Sequence, residues 1–215
     1  MIDLHLHTLL SDGVLVPSEL VARAKAAGYR AMAITDHVDS SNIEGVLEKT
    51  VRFVESIAGG KLTVLPGVEL THIPPKDIDM LTKRARRLGA KIIVCHGETI
   101  VEPVAEGTNL RAIEAGVDIL AHPGLIGEEE TALAKKNSVF LEITTRKGHS
   151  LANGHVAAMA KRIGAGLILN TDTHEPSDLA TPDYALRVAL GAGLTTNDYE
   201  RMRENAEDLL KKTGL

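Results

Sequence analysis

Seven short apolar runs, separated by stretches with helical spacing, most constrain what this chain can fold into. The runs fall at residues 2–7, 31–37, 62–70, 91–96, 118–122, 139–144 and 166–174, and each is rich in β-branched residues, as buried strands are. Between them apolar residues recur three and four apart. Leu20, Val21, Ala24 and Ala27 precede Gly28; Val46, Leu47, Val51, Val54 and Ile57 precede Gly59; Ile78, Leu81, Ala85 and Leu88 precede Gly89. A glycine just past the last apolar position marks a helix C-terminus. Further helices are expected near 108–115, 128–136, 151–163, 182–191 and 197–212, the last opening with Asn197 and Glu200 spaced as a capping box. Seven βα units in succession require a parallel sheet covered by helices, either open and doubly wound or closed as a barrel. No Ser/Pro-rich linker or low-complexity segment divides them, so one domain over residues 1–215 is expected.

The polar residues that end these runs favour the barrel. They are His5 and His7, His37, Glu69, His96, His122, and Asp172 with His174. In a barrel the C-terminal ends of all strands converge on one mouth, whereas an open sheet leaves some of them on opposite edges. The glycine-rich phosphate loop of an open nucleotide-binding sheet is also missing after every run. A strand has a side-chain period of two, so His5 and His7 point the same way, as do Asp172 and His174. Paired imidazoles inside a barrel suit a shared cation. A lone buried histidine is more often a hydrogen-bonded core residue. Six of the nine histidines at strand ends is a different pattern, with only His72, His149 and His155 elsewhere.

The same residues lie in the motifs His5-Leu6-His7, Ser11-Asp12-Gly13, Thr35-Asp36-His37, Gly67-Val68-Glu69, His96, Ala121-His122-Pro123 and Asp172-Thr173-His174. With them the chain resembles the PHP (polymerase and histidinol phosphatase) superfamily over essentially its whole length. The resemblance implies an α/β fold, a distorted (β/α)7 TIM-like barrel, and a trinuclear metal site. Its nine implied ligands are His5, His7, Asp12, His37, Glu69, His96, His122, Asp172 and His174. Many relatives carry His where Asp12 stands, and Ser-Asp-Gly also suits a tight turn without metal. By the same resemblance Glu69 bridges two ions: His5, His7 and Asp172 complete one position, and His96 and His122 a second. Asp12, His37 and His174 hold a third. A histidine and carboxylate set without thiolates suits three divalent transition ions, Zn²⁺, Mn²⁺ or Fe²⁺. The implied reaction is phosphate-ester hydrolysis by a metal-bridging hydroxide, without a covalent enzyme intermediate.

Supporting roles are less plainly written. Asp3, expected on the face of His5 and His7, and Asp36 are candidates to orient ligating imidazoles, and Glu142 ends a strand outside the nine-residue set. Arg146 and Lys147 follow the run 139–144 and are candidate phosphate-binding residues at the mouth. Lys135 and Lys136 read as solvated helix charges, His149 and His155 as surface or capping residues, and His72, just past Glu69, as a candidate lining residue of the mouth or part of a rigid loop. The loop 97–107 is long enough to act as a lid. Its glutamates, Glu98, Glu102 and Glu106, argue against a polyanion lying across it. A small phosphorylated substrate, histidinol phosphate or similar, is therefore expected ahead of the alternatives. Those are a PHP-type nuclease or phosphodiesterase and a non-catalytic RNA-binding barrel subunit such as that of ribonuclease P. An amidohydrolase-type barrel would need Lys where His96 stands.

Charge supports the small substrate. Lys and Arg number 24 against 29 Asp and Glu, a formal net charge of −5 that disfavours coating nucleic acid or anionic lipid. Three Tyr, two Phe and no Trp make a poor base-stacking platform. The single Cys95 cannot form an intrachain disulfide, no signal-like segment follows Met1, and no apolar run reaches membrane-spanning length. A cytoplasmic protein without membrane contact is expected.

Overall fold

The computed structural model describes residues 1–214. Its strands are β1 (Ile2–Leu6), β2 (Ala31–Ile34), β3 (His37–Val38), β4 (Thr63–Leu70), β5 (Ile92–His96), β6 (Ile119–Ala121), β7 (Phe140–Thr144) and β8 (Leu167–Asn170). All pairings are parallel, in the order β1-β2-β4-β5-β6-β7-β8, with β3 beside β4. The ends of this path meet. The His7 N–H donates to the Thr173 carbonyl at 2.9 Å and the Asp172 N–H to the His5 carbonyl at 3.0 Å, so the seven-stranded path is nearly closed into an α/β TIM-like barrel.

Eight helices cover it: α1 (Pro17–Ala26), α2 (Ile43–Ser56), α3 (Ile78–Arg87), α4 (Thr108–Ala115), α5 (Glu128–Asn137), α6 (Asn153–Ile163), α7 (Pro182–Gly191) and α8 (Thr196–Lys212). Alternation along β5 shows how the sequence divides the core. Ile93 and Cys95 pack with helix residues such as Leu81, Ala85 and Ile113, whereas Ile92 and Val94 pack inside the barrel with Leu4, Ala33, Leu65 and Ile168. The same inner cluster takes in Ala206, Leu209 and Leu210, so α8 seals the end of the barrel where the strands begin. Each such leucine contributes about 1.5–3 kcal/mol of burial free energy. The site is left to the opposite end.

Three expectations change in detail. The run 31–37 breaks at Thr35-Asp36, where side chains take up main-chain donors of the neighbouring segment: Thr35 Oγ1 accepts from the Leu6 N–H at 3.0 Å and Asp36 Oδ1 from the Thr8 N–H at 2.7 Å. The run 166–174 leaves strand geometry after Asn170 and turns through Asp172, at φ 55°. The capping box of α8 is Thr195 with Asp198, two residues ahead of Asn197 and Glu200, because Asn197 already lies within the helix. Thr195 Oγ1 accepts from the Asp198 N–H at 3.2 Å, and Asp198 Oδ2 accepts from the Thr195 N–H at 2.9 Å.

Candidate metal centre

The C-terminal ends of the strands gather all nine residues at one mouth. Glu69, on β4, is at the centre. Its Oε2 lies 3.3 Å from His5 Nε2, 3.5 Å from His7 Nε2 and 2.8 Å from His37 Nδ1, and its Oε1 is 3.8 Å from His122 Nε2. Asp172 Oδ1 stands 3.2 Å from His7 Nε2 and 3.6 Å from His5 Nε2, with Oδ2 3.6 Å from His122 Nε2. Asp12 Oδ1 is 3.2 Å from His174 Nε2 and 3.4 Å from His37 Nε2. The His96 ring meets that of His122 edge-on at 4.5 Å between centroids. Potential donor atoms within 4.8 Å of one another form overlapping sets: His5, His7 and Asp172; His5, Glu69 and His122; His96, His122 and His149; and His7, Asp12, His37 and His174.

Local backbone geometry aims these side chains. His122 and Asp172 follow β6 and β8 in left-handed conformations, φ 28° and 55°, which cost a non-glycine residue roughly 1–2 kcal/mol and recur at functional sites. Asp12 is presented by a turn that Asp36 pins. The Asp36 carboxylate accepts from the Thr8 N–H, the Thr8 hydroxyl and the Ser11 hydroxyl, each at 2.7 Å. That turn closes so tightly that a Cβ on Gly13 would stand 2.6 Å from the His7 carbonyl oxygen.

Glu142 is the carboxylate that orients an imidazole. His5 Nδ1–H donates to Glu142 Oε1 at 2.8 Å, Asn170 Nδ2 donates to the same oxygen at 2.9 Å, and the His122 N–H donates to Oε2 at 3.2 Å. Asp3 was expected in that part and lies elsewhere. The pairing of β1 with β2 shifts register between Asp3 and Leu6, breaking the period of two, and Asp3 instead accepts from the Thr171 hydroxyl at 2.6 Å. Burial pushes its carboxyl up to about 7.

The donor set fits cations. Buried side-chain nitrogens and oxygens are normally hydrogen-bonded, and leaving one unpaired costs about 1–3 kcal/mol. Among the described residues eight such atoms lack a partner, and seven belong here: His5 Nε2, both ring nitrogens of His7, both Glu69 oxygens, His122 Nδ1 and Asp172 Oδ1. Nitrogen and carboxylate oxygen crowded together without proton donors between them are what a borderline divalent ion coordinates. Electrostatics agree. Burial, helped by the charge of His37, pushes His7 well below the usual imidazole range, and burial with His96 does the same to His122, leaving both rings neutral. Burial would raise Glu69, but the charges of His5 and His37 outweigh it and hold the carboxyl well below its ordinary range.

A mouth cavity of about 390 Å³ opens over the cluster. Arg146 lines it and donates to Asp178 Oδ2 at 2.8 Å; Lys147 is exposed and is not part of the wall. Lys135 and Lys136 are exposed on α5, and His155 Nε2 bonds to the Ile126 carbonyl at 2.8 Å. His149 is a correction. It is buried, stacked on His122 with centroids 4.1 Å apart, because Gly148 turns the chain inward at φ 83°. The glycine was the only signal for it in the sequence. His72 lines this cavity just past Glu69, and Glu102 also reaches it, from a loop without a strand-end position that would have marked it.

The sequence profile of the PHP domain matches residues 3–213. An uncharacterized protein of Methanocaldococcus jannaschii is 49% identical over 214 residues, spanning 98% of each chain. A probable phosphatase of Shewanella loihica is 28% identical over 214 residues, spanning 87% of this chain and 83% of that protein. Two solved structures share the fold. A chain of archaeal ribonuclease P, determined with mature tRNA, superposes with a TM-score of 0.71 at 19% identity, covering 98% of this chain and 90% of that one. The histidinol phosphate phosphatase of Lactococcus lactis, solved with zinc, L-histidinol and phosphate, gives 0.61 at 16% identity, covering 90% and 94%.

Proposed function

This chain belongs to the PHP domain family, and on that premise we propose that it is a metal-dependent phosphoesterase acting on a small phosphomonoester of the histidinol phosphate kind. The observation that carries the reading is the cluster of nine side chains at the barrel mouth, five of which, His5, His7, Glu69, His122 and Asp172, bury polar atoms that lack partners. Glu69 would bridge two ions; His5, His7 and Asp172 would complete one position, His96 and His122 a second, and Asp12, His37 and His174 a third. Divalent transition ions held there would acidify a bound water and neutralise charge on the phosphoryl oxygens.

The chain's own groups prepare that chemistry. Glu142 accepts from His5 Nδ1–H and so turns Nε2 toward Glu69 and Asp172, the atom His5 would offer to an ion. The main-chain carbonyls of Gly97 and Asp172 do the same for His96 and His174, at 3.1 and 2.9 Å from Nδ1. Arg146, held by Asp178, keeps further guanidinium N–H groups for a phosphate oxygen at the cavity wall. Lys147, exposed beside it, would add only long-range attraction. Glu102 faces the cavity and the net charge is −5, both of which favour a small ester over a polynucleotide. These charges also weigh against an RNA-binding subunit, and the ribonuclease P likeness is one of fold.

The test is elemental analysis of natively purified protein beside hydrolysis of an aryl phosphomonoester and a phosphodiester. Several transition-metal equivalents per chain with monoesterase activity, lost in His7→Ala and Asp172→Ala, is the expected result. Diester cleavage alone would make the protein a phosphodiesterase. No bound metal, and no activity after Mn²⁺ or Zn²⁺ is added, would overturn the reading.

A further inference from the structure

Glu102 lies in the loop between β5 and α4, outside the nine-residue set, yet three imidazoles converge on it. Its Oε2 is 3.1 Å from His96 Nε2 and 3.5 Å from His72 Nε2, and its Oε1 is 3.4 Å from His149 Nε2. Donor atoms of His72, His96 and Glu102 all lie within 4.8 Å of one another. His96 Nδ1 donates to the Gly97 carbonyl at 3.1 Å, which turns its Nε2 toward Glu102, 3.1 Å away. Imidazole nitrogens grouped about a carboxylate are the ligand types a divalent transition ion takes.

The spacing fits one. Ligands bound at about 2.0–2.1 Å in a tetrahedral site stand about 3.3 Å from each other, and the three contacts to Glu102 bracket that value. A hydrogen-bonded ion pair accounts for the His96 contact, whose ring is 4% exposed, but the His72 contact, with side chains 46% and 39% exposed, is one that solvent screens to roughly 0–1 kcal/mol. His72 is also held in a left-handed conformation, φ 51°, of the kind found at binding sites.

We propose that His72, His96 and Glu102, with His149 alongside, form an outer binding position for a divalent transition ion, Zn²⁺ foremost, that fastens the 97–107 loop across the mouth. Thr99 Oγ1, bonded to His149 Nδ1 at 2.8 Å, ties the same loop down from its other side. His96 serves both the outer position and the inner second position, and its Nε2 can serve one ion at a time. If the inner set of the preceding section is also right, a filled outer position therefore competes with the inner one, and excess Zn²⁺ inhibits.

Zn²⁺ titration of the full chain against a chromophoric chelator tests this, with wild type, Glu102→Gln, His72→Ala and His7→Ala, beside hydrogen exchange of residues 97–107. The two positions share His96, so Glu102→Gln and His72→Ala are expected to keep the wild-type stoichiometry and to lose a slowing of loop exchange by Zn²⁺ of at least tenfold that wild type shows. His7→Ala should lose inner equivalents and keep the outer one. If His7→Ala matches wild type, the inner reading fails and the outer one stands. Slowing of loop exchange by Zn²⁺ in Glu102→Gln and His72→Ala equal to that of wild type would overturn the proposal.

Discussion

Replacing Glu142 with Gln keeps the shape of the side chain and removes an acceptor. The carboxylate takes three hydrogen bonds from buried donors, two on Oε1 and one on Oε2. An amide has one oxygen, so whichever way it is turned its NH₂ faces a donor, either the His122 N–H or the His5 and Asn170 pair. An unpaired buried donor costs about 1–3 kcal/mol. Part of this is offset. Asp172 is pushed up to about 7, first by burial and also by the charges of Glu69 and Glu142, so losing one negative charge relieves repulsion. The net loss should lie near 1 kcal/mol, a fall in Tm of about 2–4 °C for a domain of this size. Nothing offsets the lost orientation of His5, and removing a carboxylate that orients a ligating imidazole weakens metal binding by about 10–100-fold. Metal affinity should thus change more than stability. Calorimetry and chelator competition on Glu142→Gln would measure both, and wild-type metal affinity would refute the role given to the Glu142–His5 bond.

Gly13→Ala should lower stability by about 1–3 kcal/mol and lower metal stoichiometry, since the new Cβ meets the His7 carbonyl and the turn bearing Asp12 must move; unaltered thermal unfolding and metal content would count against that geometry. Thr195→Ala should cost about 1 kcal/mol through loss of the α8 cap and leave catalysis unchanged, as denaturant unfolding and a turnover assay would show. Asp3 titrates near 7 when folded and near 3.8 when unfolded, so its contribution is most favourable below pH 4 and is lost as pH rises to about 7. Asp3→Asn should remove that decline; urea unfolding of both proteins at pH 4.5 and 7.5 checks it, and parallel pH profiles would exclude it.

Much of this was legible in the chain because strands and helices impose periods. The β-branched runs marked the seven barrel strands, and the strand-end histidines and carboxylates marked the mouth, because a parallel barrel sends every C-terminal end the same way. What escaped depends on departures from period. The register shift in β1 moved Asp3 away from the imidazoles, a two-residue break separated β2 from β3, and Thr195 capped α8 in place of Asn197. His149 and Glu102 reach the mouth from loops, whose paths are set by tertiary contacts and a glycine turn that no spacing rule encodes.

The barrel seam is made largely by the backbone of residues that supply its site: His5 on β1 and His7 just after it bond to Asp172 and Thr173 beyond β8. On a ribosome adding about 5–20 residues per second, His5 and His7 emerge roughly ten to thirty seconds before Asp172. Through that interval the two imidazoles lack the carboxylate they later face, and the sheet lacks its last neighbour. Completion of the His5, His7 and Asp172 set and closure of the ring therefore fall at the same late moment of synthesis. A chain stalled before β8 can form neither, and the finished site records that the whole barrel has been assembled.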